Sequence, residues 1–229
     1  MLLSKLFGEN FLRKKIFNKT SSESMRNFLS KPFPEKNELI AKIDIVSVDF
    51  ETTGLDILKD SVVSIGVVNI EEMSINLGSS YHQLVRPDTE LTEKSVTIHH
   101  ITNSQLEGAR AVDVALAELL HRLSGKVMLA HNARLEVGFL NSLCKRLYDA
   151  KFVIPVIDTL HLAKRSFERQ NKPYRDSDLR LYNLREMYNM PAYKAHNAQM
   201  DAIATAELFL AIAGELSPKN QLRLRDCLS

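Results

Sequence analysis

Tryptophan is missing from this chain, cysteine occurs only twice, and the 30 Lys and Arg nearly balance the 28 Asp and Glu. Each shortage excludes something. Cys144 and Cys227 lie far apart, and neither sits in a C-x-x-C spacing. That argues against a thiolate zinc site and a disulfide framework, and makes a reducing cytoplasm the expected setting. No apolar run approaches the roughly 18 residues of a membrane span, so no transmembrane segment is expected. The opening "MLLSKLFGENFLRKKIF" is broken by Lys5, Glu9, Asn10 and Arg13 and has no small-residue cleavage site, so it does not read as a signal peptide. The net charge of +2 is also local: residues 1–42 hold nine bases against four acids, which leaves the rest slightly acidic. If this body meets nucleic acid, a local device must do the work that bulk positive charge does elsewhere.

What is present fits one globular domain with an extension. The chain has 229 residues, 45% of them hydrophobic, enough for a sizeable core. Residues 1–40 cluster Leu2, Leu3, Leu6, Phe7, Phe11, Leu12, Ile16 and Phe17 among lysines and arginines and end in the Pro-punctuated "SKPFPEKN". This is expected to be an amphipathic helix folded back on the body, with a protein partner or membrane surface bound through residues 1–20 as the alternative. From residue 41 to 215 a single α/β domain is expected, followed by a helical tail over 216–229. "IDIVSVDF", "SVVSIGVVNI" and "INLGSSYHQLV" read as strands, "KVMLA" and "FVIPVI" as two more. Helical spacing marks 111–124, 133–149, 158–169, 181–189 and 197–213. Three strands followed by alternating helices and strands give a five-stranded mixed sheet flanked by helices.

Three places put acids or histidines where structure alone explains them poorly. In "VDFETTGLD", Asp49 and Glu51 share one strand face, where like charges repel, and Thr52, Thr53 and Gly54 then make a tight turn. In "LAHNARLEVGFL", Asn132 reads as the N-cap of the following helix. Glu136 stands only ~40° from Leu140 at about 100° per residue, so it borders the buried face. In "AHNAQMDAIATAELFL", Asp201 follows the inward line of Ala204, Thr205, Leu208 and Ile212. His196 is five residues earlier, roughly 140° away on an ideal helix. It can share a site with Asp201 only from the helix entry. Four carboxylates converging from a strand and two helices repel unless divalent cations bind them, and all-oxygen ligation suits Mg²⁺ or Mn²⁺. Two such ions about 3.5–4 Å apart can clamp a phosphodiester, and a neutral imidazole can take a proton from the attacking water.

"VDFETTG", "HNARLEVGFL" and "HNAQMD", in this order, resemble the three motifs of the DEDDh family of 3′ to 5′ exonucleases, which includes the epsilon proofreading subunit of bacterial DNA polymerase III. The resemblance covers about residues 43–213 and implies a ribonuclease H-like fold with two Mg²⁺ or Mn²⁺ ions. By position, Asp49, Glu51, Glu136 and Asp201 match the metal-binding acids, and His196 the general base. Thr52, Thr53 and Leu55 match the pocket for the 3′-terminal nucleotide of single-stranded DNA or RNA. "SVTIHHIT" adds His99 and Ile101 at its border, and Asn132 lies near the scissile phosphate. The family carries aspartate where this chain has Glu136, which implies a ligand shifted by one methylene. A weakened nuclease fold kept as a binding module is the competing expectation, against which stand the intact His196 and four acids. "QLRL" at 221–224 resembles a sliding-clamp motif faintly, but Arg225 stands where an aromatic belongs, so clamp binding is not expected.

Overall fold

The structure, a computed structural model, describes residues 8–87, 101–193, 196–217 and 221–229. Five strands form one sheet: β1 (Ile45–Thr52), β2 (Val62–Glu71), β3 (Ser74–Leu84), β4 (Val127–Ala130) and β5 (Val156–Asp158), in the order β3-β2-β1-β4-β5. β1 and β2 pair antiparallel, as do β2 and β3, whereas β4 runs parallel to β1 and β5 parallel to β4. Helices α1 (Glu9–Phe17) and α2 (Glu23–Leu29) precede the sheet; α3 (Asn103–Leu106) and α4 (Val112–Leu123) lie between β3 and β4. Helix α5 (Arg134–Tyr148) connects β4 to β5, and α6 (Thr159–Arg169), α7 (Leu181–Met187), α8 (Ala198–Leu216) and α9 (Leu224–Cys227) follow. This is the mixed, helix-covered sheet expected of a ribonuclease H-like fold.

The central strand β1 separates two cores. Val46 and Val48 face a cluster with Leu116, Leu119 and Leu120 of α4 and Phe139 and Leu140 of α5. Ile45 faces the other, with Leu162 of α6, Leu184 of α7 and Leu208 and Phe209 of α8. Alternation along the strand therefore turns Ser47, Asp49 and Glu51 toward α8. Ser47 donates its hydroxyl to the Ala202 carbonyl at 2.7 Å. α8 comes this close because its contact residues are alanines and because Gly66, paired with Asp49 across β1 and β2, has no side chain. A Cβ there would lie 2.0 Å from the Ala198 carbonyl. This contact sets α8, and Asp201 with it, over the acid-bearing end of β1.

The segment before the domain packs inward. Met25, Phe28, Leu29 and Phe33 are buried in the core that holds Val46 and Val48, and the Arg13 guanidinium is buried and donates to the Leu29 carbonyl. At the other end, Leu224 is fully buried and its N–H donates to Glu38 at 3.0 Å. "QLRL" is thus folded against the body. Both cysteines are buried and unpaired, their thiols pushed up to about 12 by burial. Among the described residues no helix is long and apolar enough to cross a membrane.

Two local expectations are corrected. "FVIPVI" forms ladder structure only over Val156–Asp158, since Pro155 has no N–H to donate. Asn132 is not the cap of α5. It adopts a left-handed conformation at φ 60°, and Ala133 takes the cap position without a side-chain hydrogen bond. The reason is Asp158, whose carboxylate accepts the Asn132 and Ala133 N–H groups at 3.0 Å each.

Candidate active site

Three elements bring the four acids together. Asp49 and Glu51 come from the last turns of the β1 pleat, Glu136 from the first turn of α5 and Asp201 from the first turn of α8. Glu51, Glu136 and Asp201 are only 8%, 6% and 7% exposed. Asp49 is the hub. Its carboxyl is held well above the usual range, first by burial and then by the charges of Glu136, Asp201 and Glu51. Burial, then the Asp201 charge, pushes Glu51 up to about 8, and burial, with Asp158 adding repulsion, does the same for Glu136. Asp201 is also raised by burial, but less freely, because hydrogen bonds from Tyr182 and from the His196 N–H stabilise its charged form.

The entry to α8 places His196 where helical geometry alone would not. Asn197 caps the helix, its side chain accepting from the Met200 N–H at 3.1 Å. His196 precedes it at φ 63° and donates its backbone N–H to Asp201 Oδ2 at 3.1 Å. The imidazole is exposed at the mouth of the cluster. One ligand atom from each of Glu51, His196 and Asp201 lies within 4.8 Å of the others. Among the described residues these three form the tight group, and Asp49 and Glu136 adjoin it.

The turn after β1 is a closed latch. Thr52 donates its hydroxyl to the Gly54 carbonyl at 2.7 Å. Thr53 is buried with its N–H on the Ser61 carbonyl and its hydroxyl between Asp60 Oδ1, at 3.0 Å, and the Ser61 N–H. Asp60 also receives the Asp56 N–H at 2.8 Å. The latch leaves Leu55 73% exposed beside the acids' strand end, while Thr53 holds the turn from within. Opposite, Ile57 packs on α5 where Gly138 makes room; a Cβ there would meet Ile57 Cδ1 at 2.3 Å. Asn132 is exposed. Ile101 is buried against Val63 and Leu106. His99 lies outside the described residues.

Sequence reasoning missed two participants. Asp158, at the end of β5, caps α6 through the Leu160 N–H at 3.0 Å while holding Asn132 and Ala133, so one carboxylate ties α5, and with it Glu136, to the sheet. The apolar run ending at "VID" followed by Thr159 was the one available signal, a cap just before a helix. Tyr182, on α7, donates its hydroxyl to Asp201 Oδ1. Burial and the charges of Asp201 and Asp49 push its phenol upward, so it is a donor and not a base. Nothing in "LYNLREMY" marks that contact. His131 is neutral, its pKa pushed down to about 4 by burial, and its Nδ1 meets Thr159 Oγ1 at 2.9 Å. It joins β4 to α6 rather than serving the cluster.

Residues 46–209 match the family model described as Exonuclease. The DNA polymerase III PolC-type protein of Thermotoga maritima is 36% identical over 168 residues, covering 72% of this chain and 11% of that protein. The DNA polymerase III subunit epsilon of Aquifex aeolicus is 29% identical over 174 residues, covering 75% of this chain and 81% of that protein. The chain thus spans about a ninth of the PolC-type relatives and most of the epsilon relative. Among solved structures, the nuclease domain of 3′hExo, a DEDDh family member bound to rAMP, superposes with a TM-score of 0.67 at 18% identity, covering 84% of this chain and 98% of that one. At that identity the likeness speaks for the fold.

Proposed function

The chain belongs to the exonuclease family and has the ribonuclease H-like fold of its DEDDh-type members, and from that premise we propose that it hydrolyses the terminal phosphodiester at single-stranded 3′ ends of DNA or RNA, releasing nucleoside monophosphates. The observation that carries this reading is the convergence of three buried carboxylates, Glu51, Glu136 and Asp201, on Asp49, whose own carboxyl their charges help to raise. Repulsion of that kind is relieved by protons or by cations. Among the described residues Glu136 Oε2 is buried with no hydrogen-bond partner, which fits an oxygen kept for a ligand. The donor set is oxygen-rich, with Glu51, Asp201 and the His196 ring close enough to share an ion, so the residues fit Mg²⁺ or Mn²⁺ held by Asp49, Glu51, Glu136 and Asp201.

When bound there, such ions supply Lewis-acid stabilisation of a phosphate and a more acidic water. The chain's own residues do the rest. His196 presents an exposed imidazole at the mouth, tethered through its backbone to Asp201, and takes the proton of the attacking water. Glu51 shares the catalytic centre, with a carboxylate oxygen within 4.8 Å of both His196 and Asp201. The latched turn carries Thr52 and Leu55 to the terminal nucleotide, with Leu55 offering an apolar face to its base. Asn132, exposed and fixed by Asp158, stands at the phosphate. Ile101, buried against Val63 and Leu106, borders the nucleotide, and His99, which lies outside the described residues, is given the same border by the family resemblance.

Incubation of the purified chain with 3′- and 5′-labelled DNA and RNA oligonucleotides, with Mn²⁺, Mg²⁺ or EDTA, tests this. A ladder shortening from the 3′ end that EDTA abolishes is the expected result. Tight binding without cleavage under every metal condition would instead make the chain a binding module.

A further inference from the structure

Asp201 differs from its neighbours in having both oxygens engaged. Oδ2 accepts the His196 N–H at 3.1 Å, and Oδ1 accepts the Tyr182 hydroxyl. The tyrosine is not a loose surface group. Tyr182 is the second residue of α7, and one turn further Arg185 is 1% exposed. Its guanidinium donates to the Ala204 carbonyl at 3.0 Å and to the Pro191 carbonyl at 3.0 Å, and pairs with Glu207 at 2.6 Å. Leu181 and Leu184 are buried beside them. Residues three apart share a helix face, so α7 grips α8 at two successive levels: Tyr182 on Asp201, then Arg185 on Ala204 and Glu207. The grip leaves the phenol aimed at one oxygen of one carboxylate. Glu136 Oε2, by contrast, has no hydrogen-bond partner among the described residues.

Resting on the reading of Asp201 as a cation ligand, we propose that Tyr182 is a positioning residue: its hydroxyl, opposite the His196 N–H, sets the angle of the Asp201 carboxylate so that its remaining lone pairs face Glu51 and Asp49. A carboxylate aimed before the ion arrives loses less freedom on binding it, and partners that orient a ligand in this way are worth about 10–100-fold in metal affinity or activity. Tyr182 touches neither substrate nor ion in this role. Its effect therefore falls on metal affinity, with little on the oligonucleotide.

Tyr182→Phe keeps the ring and the α7 contacts and removes only the donor. Mn²⁺ binding to the folded chain, measured by titration calorimetry without nucleic acid, is expected to weaken by about 10-fold. The Mg²⁺ concentration giving half-maximal cleavage should rise in step, while saturating Mg²⁺ restores kcat, and the oligonucleotide KM and the melting temperature stay near those of the parent chain. Asp201→Asn is the control for the underlying reading. If Tyr182→Phe binds Mn²⁺ like the parent while Asp201→Asn does not, Tyr182 is only a packing residue and the inference falls alone. If Asp201→Asn also binds like the parent, Asp201 is no ligand and both statements fall. A loss of cleavage in Tyr182→Phe that saturating Mg²⁺ fails to restore would equally overturn the positioning role.

Discussion

Glu136 and Asp201 each sit in the first turn of a helix, each only a few per cent exposed, and each approaches the same strand. Their surroundings are opposite. Asp201 has two donors and a capped helix with Asn197 in place. Glu136 has an oxygen without a hydrogen-bond partner among the described residues, an alanine at the cap position and the repelling charge of Asp158. The difference shows that equal burial does not mean equal preparation: one carboxylate has both oxygens held by donors, and the other keeps one oxygen without a partner among the described residues. With both as the proposed cation ligands, the extra methylene of glutamate would let the second adjust to an ion, whereas the shorter aspartate suits a pre-aimed site.

The largest test of that contrast is a pair of neutral isosteres. Asp201→Asn should lower kcat for oligonucleotide cleavage by at least about 10³-fold, because a ligand worth several kcal/mol to the transition state is lost. Glu136→Gln should lower it by only about 10–100-fold, the range of an adjustable contact, and Glu136→Asp should stay within about 10-fold of the parent while changing the ratio of Mn²⁺- to Mg²⁺-supported rates. Equal losses in the two neutral variants would erase the distinction, and a Glu136→Gln chain as active as the parent would remove Glu136 from the ligand set.

The next effect is on stability and follows from protons. Glu51 and Glu136 are each pushed up to about 8 in the folded chain from ordinary values near 4.5 when unfolded. The native state therefore binds more protons between those limits, and metal-free stability is fullest below about pH 4.5 as far as these groups are concerned and is lost as pH rises through about 8. In EDTA the melting temperature should fall by about 5–10 °C between pH 5.5 and pH 8.5. Millimolar Mn²⁺ should flatten that slope, since cations replace the protons. A melting temperature that rises with pH in EDTA would show that the carboxyls are not crowded as described.

The smallest effect concerns the brace behind Glu136. Asp158→Asn retains the shape but halves the acceptors available to the Asn132, Ala133 and Leu160 N–H groups. Chemical denaturation should show a loss of about 1–3 kcal/mol, as for hydrogen bonds to a charged group. The same change removes repulsion from Glu136, so the pH slope in EDTA should become shallower.

Much of the site was legible because its patterns are local. Alternation in "VDFETTG" places Asp49 and Glu51 on one face, and the stripe of Ala204, Leu208 and Ile212 turns Asp201 inward; both depend only on strand and helix periods. The five-stranded mixed sheet follows from the order of the elements. Asn132 was misread because its N–H is claimed by Asp158, 26 residues away, and no cap rule contains that competitor. Tyr182 was invisible for the same reason, since its partner lies 19 residues on and on another helix.

The sequence by itself therefore determined which chemical groups are available and on which face of each element they stand, since side-chain direction is a property of the local backbone. Only the tertiary structure decided how those groups are spent. It set α8 on Gly66, gave both Asp201 oxygens to donors and left one oxygen of Glu136 without any among the described residues, because hydrogen bonds between elements depend on how the elements pack and not on the period of either.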